Sequence, residues 1–246
     1  MESSEFEAVV VGSTDLGDSD RILRLLSAEH GRTSVVVRNA RSSKKRWVGV
    51  TDLGHRSRFS IRFGPKDLDS LRAADPVQGP RLARVDLDRI AALAYGCELV
   101  AAFSPEREAS PRHYGLLVAW LQWLESEGPL SPLGRLALEA KVLTFAGLTP
   151  ALLRCARCGS DLDDPAAFHA EAGGAVHQRC SGGGYFSVST GRMLEACRRT
   201  PLLDLPMGRP QPEIRWILGD FAQWHLGRSL QSRTLVEELE RMPGTG

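Results

Sequence analysis

No apolar run in this 246-residue chain approaches the roughly 20 residues that a membrane-spanning helix requires, so a helical membrane anchor is not expected. A strand-like pattern begins at Phe6 and leaves no room for a targeting segment, which points to a cytoplasmic location. Catalytic signatures are missing as well. Neither GxSxG nor HExxH occurs, and no glycine-rich loop opens a strand-to-helix unit. None of His30, His55, His113 and His225 stands at catalytic spacing with a carboxylate or a nucleophile. The chain is not expected to be an enzyme. Net charge is almost absent: 31 Lys and Arg stand against 30 Asp and Glu, giving +1. Any attraction for nucleic acid must therefore come from uneven placement of charge. Cysteine is scarce and odd in number, with five at positions 97, 155, 158, 180 and 197. In a reducing compartment a CxxC pair signals metal or redox chemistry and not a disulfide scaffold.

Three of those cysteines form one constellation. Cys155-Ala156-Arg157-Cys158 is followed, after eighteen residues, by His177-Gln178-Arg179-Cys180. Two ligands separated by two residues can point at one ion from a tight turn, and a second such pair completes a tetrahedron. A redox dithiol is the rival, but it normally follows a strand at the start of a helix, and no βαβ pattern precedes Cys155. His169 competes with His177 for the fourth place but lacks the two-residue partnership with Cys180. The expected set is Cys155, Cys158, His177 and Cys180 around one structural Zn2+, with all four positions filled by protein. Cys97 and Cys197 lie in apolar helical patterns and read as buried thiols.

The charge is unevenly placed. Residues 32–62 hold nine Lys and Arg against a single acid, Asp52, a local charge of +8. The same region alternates like strands. Segments at 6–11, 21–27, 32–37 and 55–63, with a weaker one at 68–74, predict a small five-stranded barrel of the OB type. In the fourth segment Arg56, Arg58, Ser60 and Arg62 share one face, about 6.8 Å apart along the strand. Before it lies the loop carrying Arg38, Arg41, Lys44, Lys45 and Arg46, and then Trp47. A charge run usually marks a solvated face. Here the near-absence of acids and the one-sided arginine row point instead to single-strand nucleic-acid binding. Trp47 reads either as a stacking platform or as a cover for the barrel end.

Two prolines and a glycine in residues 73–80 suggest a linker. Beyond it the period becomes helical. Asp86 opens one helix, Ser110-Pro111 a second and Ser131-Pro132 a third that runs through Phe145. Further helical segments start near Ser189 and Arg215. The expected fold is thus α+β: a barrel over residues 1–78, then an α-helical domain over 79–246 with the zinc knuckle, 151–186, inserted.

This order of parts resembles the RecO family of bacterial recombination-repair mediators. The resemblance rests on GDSDRILRLLSAEHGRTSVVVRNAR (Gly17 to Arg41), FAGLTP (Phe145 to Pro150), RCARCGS (Arg154 to Ser160) and AGGAVHQRC (Ala172 to Cys180). His177 departs from the four-cysteine pattern usual in zinc-bearing members. The resemblance implies a non-enzymatic protein that binds single- and double-stranded DNA, anneals complementary strands and helps load RecA onto coated single strands. It also implies RecR and the C-terminal tail of single-strand-binding protein as partners, a functional link to RecA and RecF, and a nucleoid location. The DNA contacts fall on Arg38, Arg41, Lys44, Lys45, Arg46, Arg56, Arg58 and Arg62. The rival readings are a zinc-containing, sequence-specific transcription regulator, which would need a helix loaded with base-reading side chains, and a metal-dependent nuclease, which would need an open coordination position.

Overall fold

The computed structural model describes residues 3–42, 47, 49–64, 69–181, 185–211 and 214–241. The first five strands are β1 (Ser3–Leu16), β2 (Asp20–Ser27), β3 (Gly31–Val37), β4 (Arg56–Arg62) and β5 (Asp69–Gln78). They close in the order β1-β2-β3-β5-β4, a five-stranded barrel of the OB type. β3 and β5 run parallel, with Val36 opposite Ser70, and the other neighbours are antiparallel. The long β1 serves two partners. Its first half pairs with β4 and its second with β2, with a register shift between Val10 and Gly12. The bend that such a shift introduces turns one strand around the barrel.

Alternation fills the barrel. Phe6, Ala8 and Val10 from β1, Leu23 and Leu25 from β2, Val35 and Val37 from β3, and Phe59 and Ile61 from β4 form its core. Each large apolar side chain of this kind stabilises by about 1.5–3 kcal/mol when fully buried. Of the two readings of Trp47, the cover is correct. Its ring is 4% exposed within the same core, and its indole N–H donates to the Arg38 carbonyl at 3.2 Å.

One expectation needs correction. Residues 73–80 are not a linker through most of their length, because β5 continues to Gln78 and places Pro76 opposite Ser57. The parallel pairing with β3 ends at Ser70, so among the described residues this stretch has β4 as its only ladder partner. Proline is tolerated on such an edge because its missing N–H is not needed there.

Five longer helices and a small ribbon follow the first helix, α1 (Leu87–Phe103): α2 (Pro111–Leu124), α3 (Gly134–Phe145), the hairpin β6 (Ala166–His169) and β7 (Gly174–His177) with the single turn α4 (Gln178–Ser181), then α5 (Val188–Arg199), α6 (Ile217–Leu226) and α7 (Gln231–Arg241). Asp86 caps α1 by accepting the Arg89 N–H at 3.0 Å. The third helix begins later than Ser131-Pro132 suggested, at Gly134, and the Ser131 hydroxyl donates to the Pro206 carbonyl at 2.6 Å.

The chain forms two compact units, Met1–Glu125 with Gln231–Gly246, and Ser126–Leu230. Contact density thus groups α1, α2 and α7 with the barrel, although the strand pattern itself ends near residue 78. In the first unit Gly31 (φ +56°) is indispensable: a Cβ there would lie 2.1 Å from the Glu108 carbonyl oxygen and 2.6 Å from that of Pro105. This close approach lets Arg32 N–H reach the Pro105 carbonyl (2.9 Å) and Ser110 N–H the Ala28 carbonyl (2.8 Å). The segment joining α1 and α2 is thereby sewn to the β2–β3 turn. In the second unit the Arg135 guanidinium lies 3.6 Å from the Trp216 ring centroid and 3.0 Å from the wholly buried Glu139 carboxylate. That contact ties α3 to the segment preceding α6. No helix among the described residues is long and apolar enough to cross a membrane.

Candidate metal centre and nucleic-acid interface

The knuckle is built from two turns that the β6–β7 hairpin brings together. Cys155 and Cys158 sit in the first, where Gly159 (φ +76°) reverses the chain and its N–H donates to the Cys155 carbonyl at 2.9 Å. Ala156 N–H donates to the Ala175 carbonyl at 2.8 Å and pins that turn to β7. His177 ends β7 and Cys180 lies in the adjoining turn α4. One donor atom from each of the four residues falls within 4.8 Å of all the others.

The residues present fit a tetrahedral ion. Metal–sulfur and metal–nitrogen bonds of about 2.3 and 2.05 Å place sulfur about 3.6 Å from nitrogen in a tetrahedron. His177 Nδ1 lies 3.4 Å from Cys158 Sγ and 3.8 Å from Cys180 Sγ. The other ring nitrogen, Nε2, faces the Asp161 carbonyl at 2.9 Å and the Asp163 carboxylate at 3.5 Å. The neutral tautomer that donates from Nε2–H to those oxygens carries no proton on Nδ1 and aims it at the sulfurs, the form that an outer shell selects for a metal ligand. Desolvation pushes the Cys155 thiol up, but N–H groups of Cys158, His177 and Arg157 outweigh it and bring it down to about 6. A thiolate is the form a metal binds. His169 pairs with Gly174 at the far end of the hairpin and is not part of the cluster. The two four-residue strands escaped the sequence reading because AAFH and GAVH show no period long enough to register.

Of the cations expected to meet nucleic acid, Lys44, Lys45 and Arg46 lie outside the described residues. Arg38 is exposed at the exit of β3, without a carboxylate partner among the described residues. Arg41 is exposed too, with its Nε 3.6 Å from Asp15. Their segment leans on the tip of the β1–β2 hairpin. Asp20 accepts the Asn39 N–H at 2.8 Å, and Ser19 offers its carbonyl to the Arg41 N–H at 3.0 Å. Asn39 itself is left-handed, φ 55°.

The arginine row on β4 does project from one face, with Ser57, Phe59 and Ile61 buried between. It is not uncompensated. Arg56 Nε stands 3.2 Å from Glu7, which also accepts the Tyr114 hydroxyl at 2.7 Å, and Arg56 is only partly exposed. Arg58 lies 3.9 Å from Glu5 and is opposite Asp75 in register. Arg62 has no carboxylate partner among the described residues. Glu5 and Glu7 alternate along β1 just as the arginines do along β4, and that alternation was the available signal. Their pairing needed the barrel's register, which no local pattern supplies.

Family models for the N-terminal and C-terminal regions of recombination protein O match residues 1–80 and 84–234. The chain belongs to the RecO family. Among curated members, a DNA repair protein RecO of Pelobacter propionicus is 34% identical over 97% of this chain and 98% of its own length. Another, of Anaeromyxobacter dehalogenans, is 33% identical over 99% of this chain and all of its own. One from Myxococcus xanthus is 33% identical over 94% and 96%. The RecO family therefore accounts for the barrel and the helical region together.

Proposed function

We propose that this protein is a recombination-repair mediator that binds single- and double-stranded DNA, anneals complementary strands and helps load RecA onto strands coated by single-strand-binding protein. The observation that carries this reading is the end-to-end match to proteins named DNA repair protein RecO. An OB-type barrel with a local charge of +8 over residues 32–62 supports it independently. On this reading residues 1–78 are the nucleic-acid module and 79–246 the helical, partner-binding part, with the knuckle at 151–186. RecR and the C-terminal tail of the coating protein are the proposed partners, with RecA and RecF linked in function, in the bacterial cytoplasm at the nucleoid. No step requires a catalytic residue.

The proposed DNA contacts are Arg38, Arg41, Lys44, Lys45, Arg46, Arg56, Arg58 and Arg62. Charge arithmetic ranks them. A cation already neutralised by a neighbouring carboxylate displaces fewer counterions than a free one. Arg38 and Arg62 should therefore contribute most per residue and Arg56 least. The ion held by Cys155, Cys158, His177 and Cys180 is proposed to be Zn2+, which supplies a cross-link between the two turns and no open position for chemistry.

The test is annealing of complementary strands coated with single-strand-binding protein. The wild-type protein should accelerate duplex formation, and a variant carrying Arg38→Ala, Arg41→Ala and Arg62→Ala should do so much less. Equal rates with and without the protein would refute the reading. One strongly preferred duplex sequence in a selection experiment would favour a zinc-containing transcription regulator.

A further inference from the structure

Two of the four knuckle ligands are close to each other and unequal in access. Cys155 is 2% exposed and packs with Ala167 and Val176 in the knuckle's small core, whereas Cys158 is exposed. Their sulfurs lie within 4.8 Å of each other. Both sit in one turn, so closing to the roughly 2.05 Å of a disulfide needs movement within that turn alone. Cys180 is half-buried and belongs to the other turn, with His177 Nδ1 3.8 Å from its sulfur. Cys97 in α1 and Cys197 in α5 are buried and stand outside the cluster. An accessible cysteine beside a second that can resolve it is the arrangement on which oxidants act reversibly.

We propose that Cys158 and Cys155 form a dithiol oxidised by hydroperoxides, and that closing it dissolves the metal centre and loosens the β6–β7 hairpin from α6. This rests on the reading of the ion as Zn2+. The Cys158 thiolate attacks one oxygen of hydrogen peroxide; the O–O bond breaks, leaving a sulfenic acid and hydroxide. The Cys155 thiolate then attacks the Cys158 sulfur, forming the S–S bond and expelling a second hydroxide. Two electrons pass from the sulfurs to the peroxide. Cys180 and His177 remain, two donors where a structural ion takes four. The knuckle's core of Cys155, Ala167 and Val176 is too small to replace that cross-link. The hairpin in turn supports α6 through a run of rings. Phe168 of β6 packs on Phe221 of α6 with centroids 5.7 Å apart, Phe221 on His225 at 4.4 Å, and His225 on Trp224 at 5.0 Å. Trp224 is 54% exposed, so a shift of the hairpin reaches an indole at the surface.

The test treats the full-length, zinc-loaded protein with hydrogen peroxide. A chromogenic chelator follows released zinc, mass mapping after alkylation follows the disulfide, and tryptophan emission follows α6. Zinc should leave in step with a Cys155–Cys158 disulfide, while Cys97, Cys180 and Cys197 stay open to alkylation in the denatured chain. Emission should shift over the same time course in wild type and much less in Trp224→Phe, whose zinc release should be unchanged. A dithiol reductant with added Zn2+ should reverse these changes. Zinc that stays bound under peroxide, or a disulfide that joins other cysteines, overturns the proposal and leaves the metal reading intact. Zinc that leaves without a disulfide, or does not return on reduction, overturns it as well, because the thiols have then gone to higher acids. Emission that stays constant while zinc leaves overturns the coupling to α6. Purified protein that holds no zinc before oxidation overturns both the proposal and the metal reading.

Discussion

Asp20 offers a prediction in which two effects of opposite sign compete. Its carboxylate sits beside a cationic segment, so on charge alone its removal should tighten binding to DNA. At about 10 Å in water the unfavourable interaction of that carboxylate with a phosphate is about 0.4 kcal/mol, and physiological salt reduces it to roughly 0.1–0.2 kcal/mol. Its structural role acts the other way. Asp20 accepts the N–H of Asn39 at 2.8 Å, and Asn39 is held left-handed between Arg38 and Arg41. Losing that bond and the conformation it fixes is worth about 1 kcal/mol. Positioning therefore wins. We predict that Asp20→Ala weakens single-strand binding about fivefold, whereas Asp20→Asn, which keeps an oxygen acceptor, stays close to wild type. Fluorescence anisotropy with a labelled oligonucleotide measures both. If the two variants tighten binding equally, Asp20 acts only as a charge and the hairpin tip does not organise the Arg38–Arg41 segment.

Other outcomes follow from the same structure. Gly31→Ala forces a methyl group against two backbone carbonyls that cannot rotate away, so denaturant unfolding should show a loss of about 3 kcal/mol or more; a loss below about 1 kcal/mol would contradict the close docking of residues 105–108. Burial lowers the pKa of His113, and burial followed by the charge of Arg84 lowers that of His55, with Asp52 opposing. The unfolded chain then binds more protons than the folded one below the ordinary value of 6.5, so stability present above that value is lost as pH falls. Calorimetry between about pH 7.5 and about pH 5.5 should show a falling melting temperature, with a smaller fall in His113→Gln. Purified protein should contain one equivalent of zinc, and Cys158→Ser should lose it while keeping the salt slope of DNA binding, because the barrel has its own core. A slope that collapses with the metal would place the knuckle in the DNA site.

Much of this architecture was legible in the amino-acid sequence where structure is local. The period of two in Arg56–Phe63 announced β4, and Ser110-Pro111 marked the start of α2, because those signals come from neighbouring residues. The matched two-residue spacings likewise brought Cys155, Cys158, His177 and Cys180 together. Properties set by strand register were hidden. Glu5 and Glu7 blunt the arginine row only because β1 lies antiparallel to β4. The end of β5 was misplaced because a proline weighs against a strand unless one knows that the strand has a free edge there. Trp47 was ambiguous for a similar reason, since the opening it closes is formed by residues remote in the chain.

On the proposed reading the barrel holds DNA through phosphate neutralisation, most strongly by Arg38 and Arg62, which have no carboxylate partner among the described residues. The salt dependence of single-strand affinity tests it most directly, comparing wild type with a variant carrying Arg38→Ala and Arg62→Ala. Wild type should show a linear log–log dependence with a slope of about −0.7 per phosphate contacted, and the variant a slope shallower by about 1.4. Identical slopes and affinities in the two proteins would contradict it.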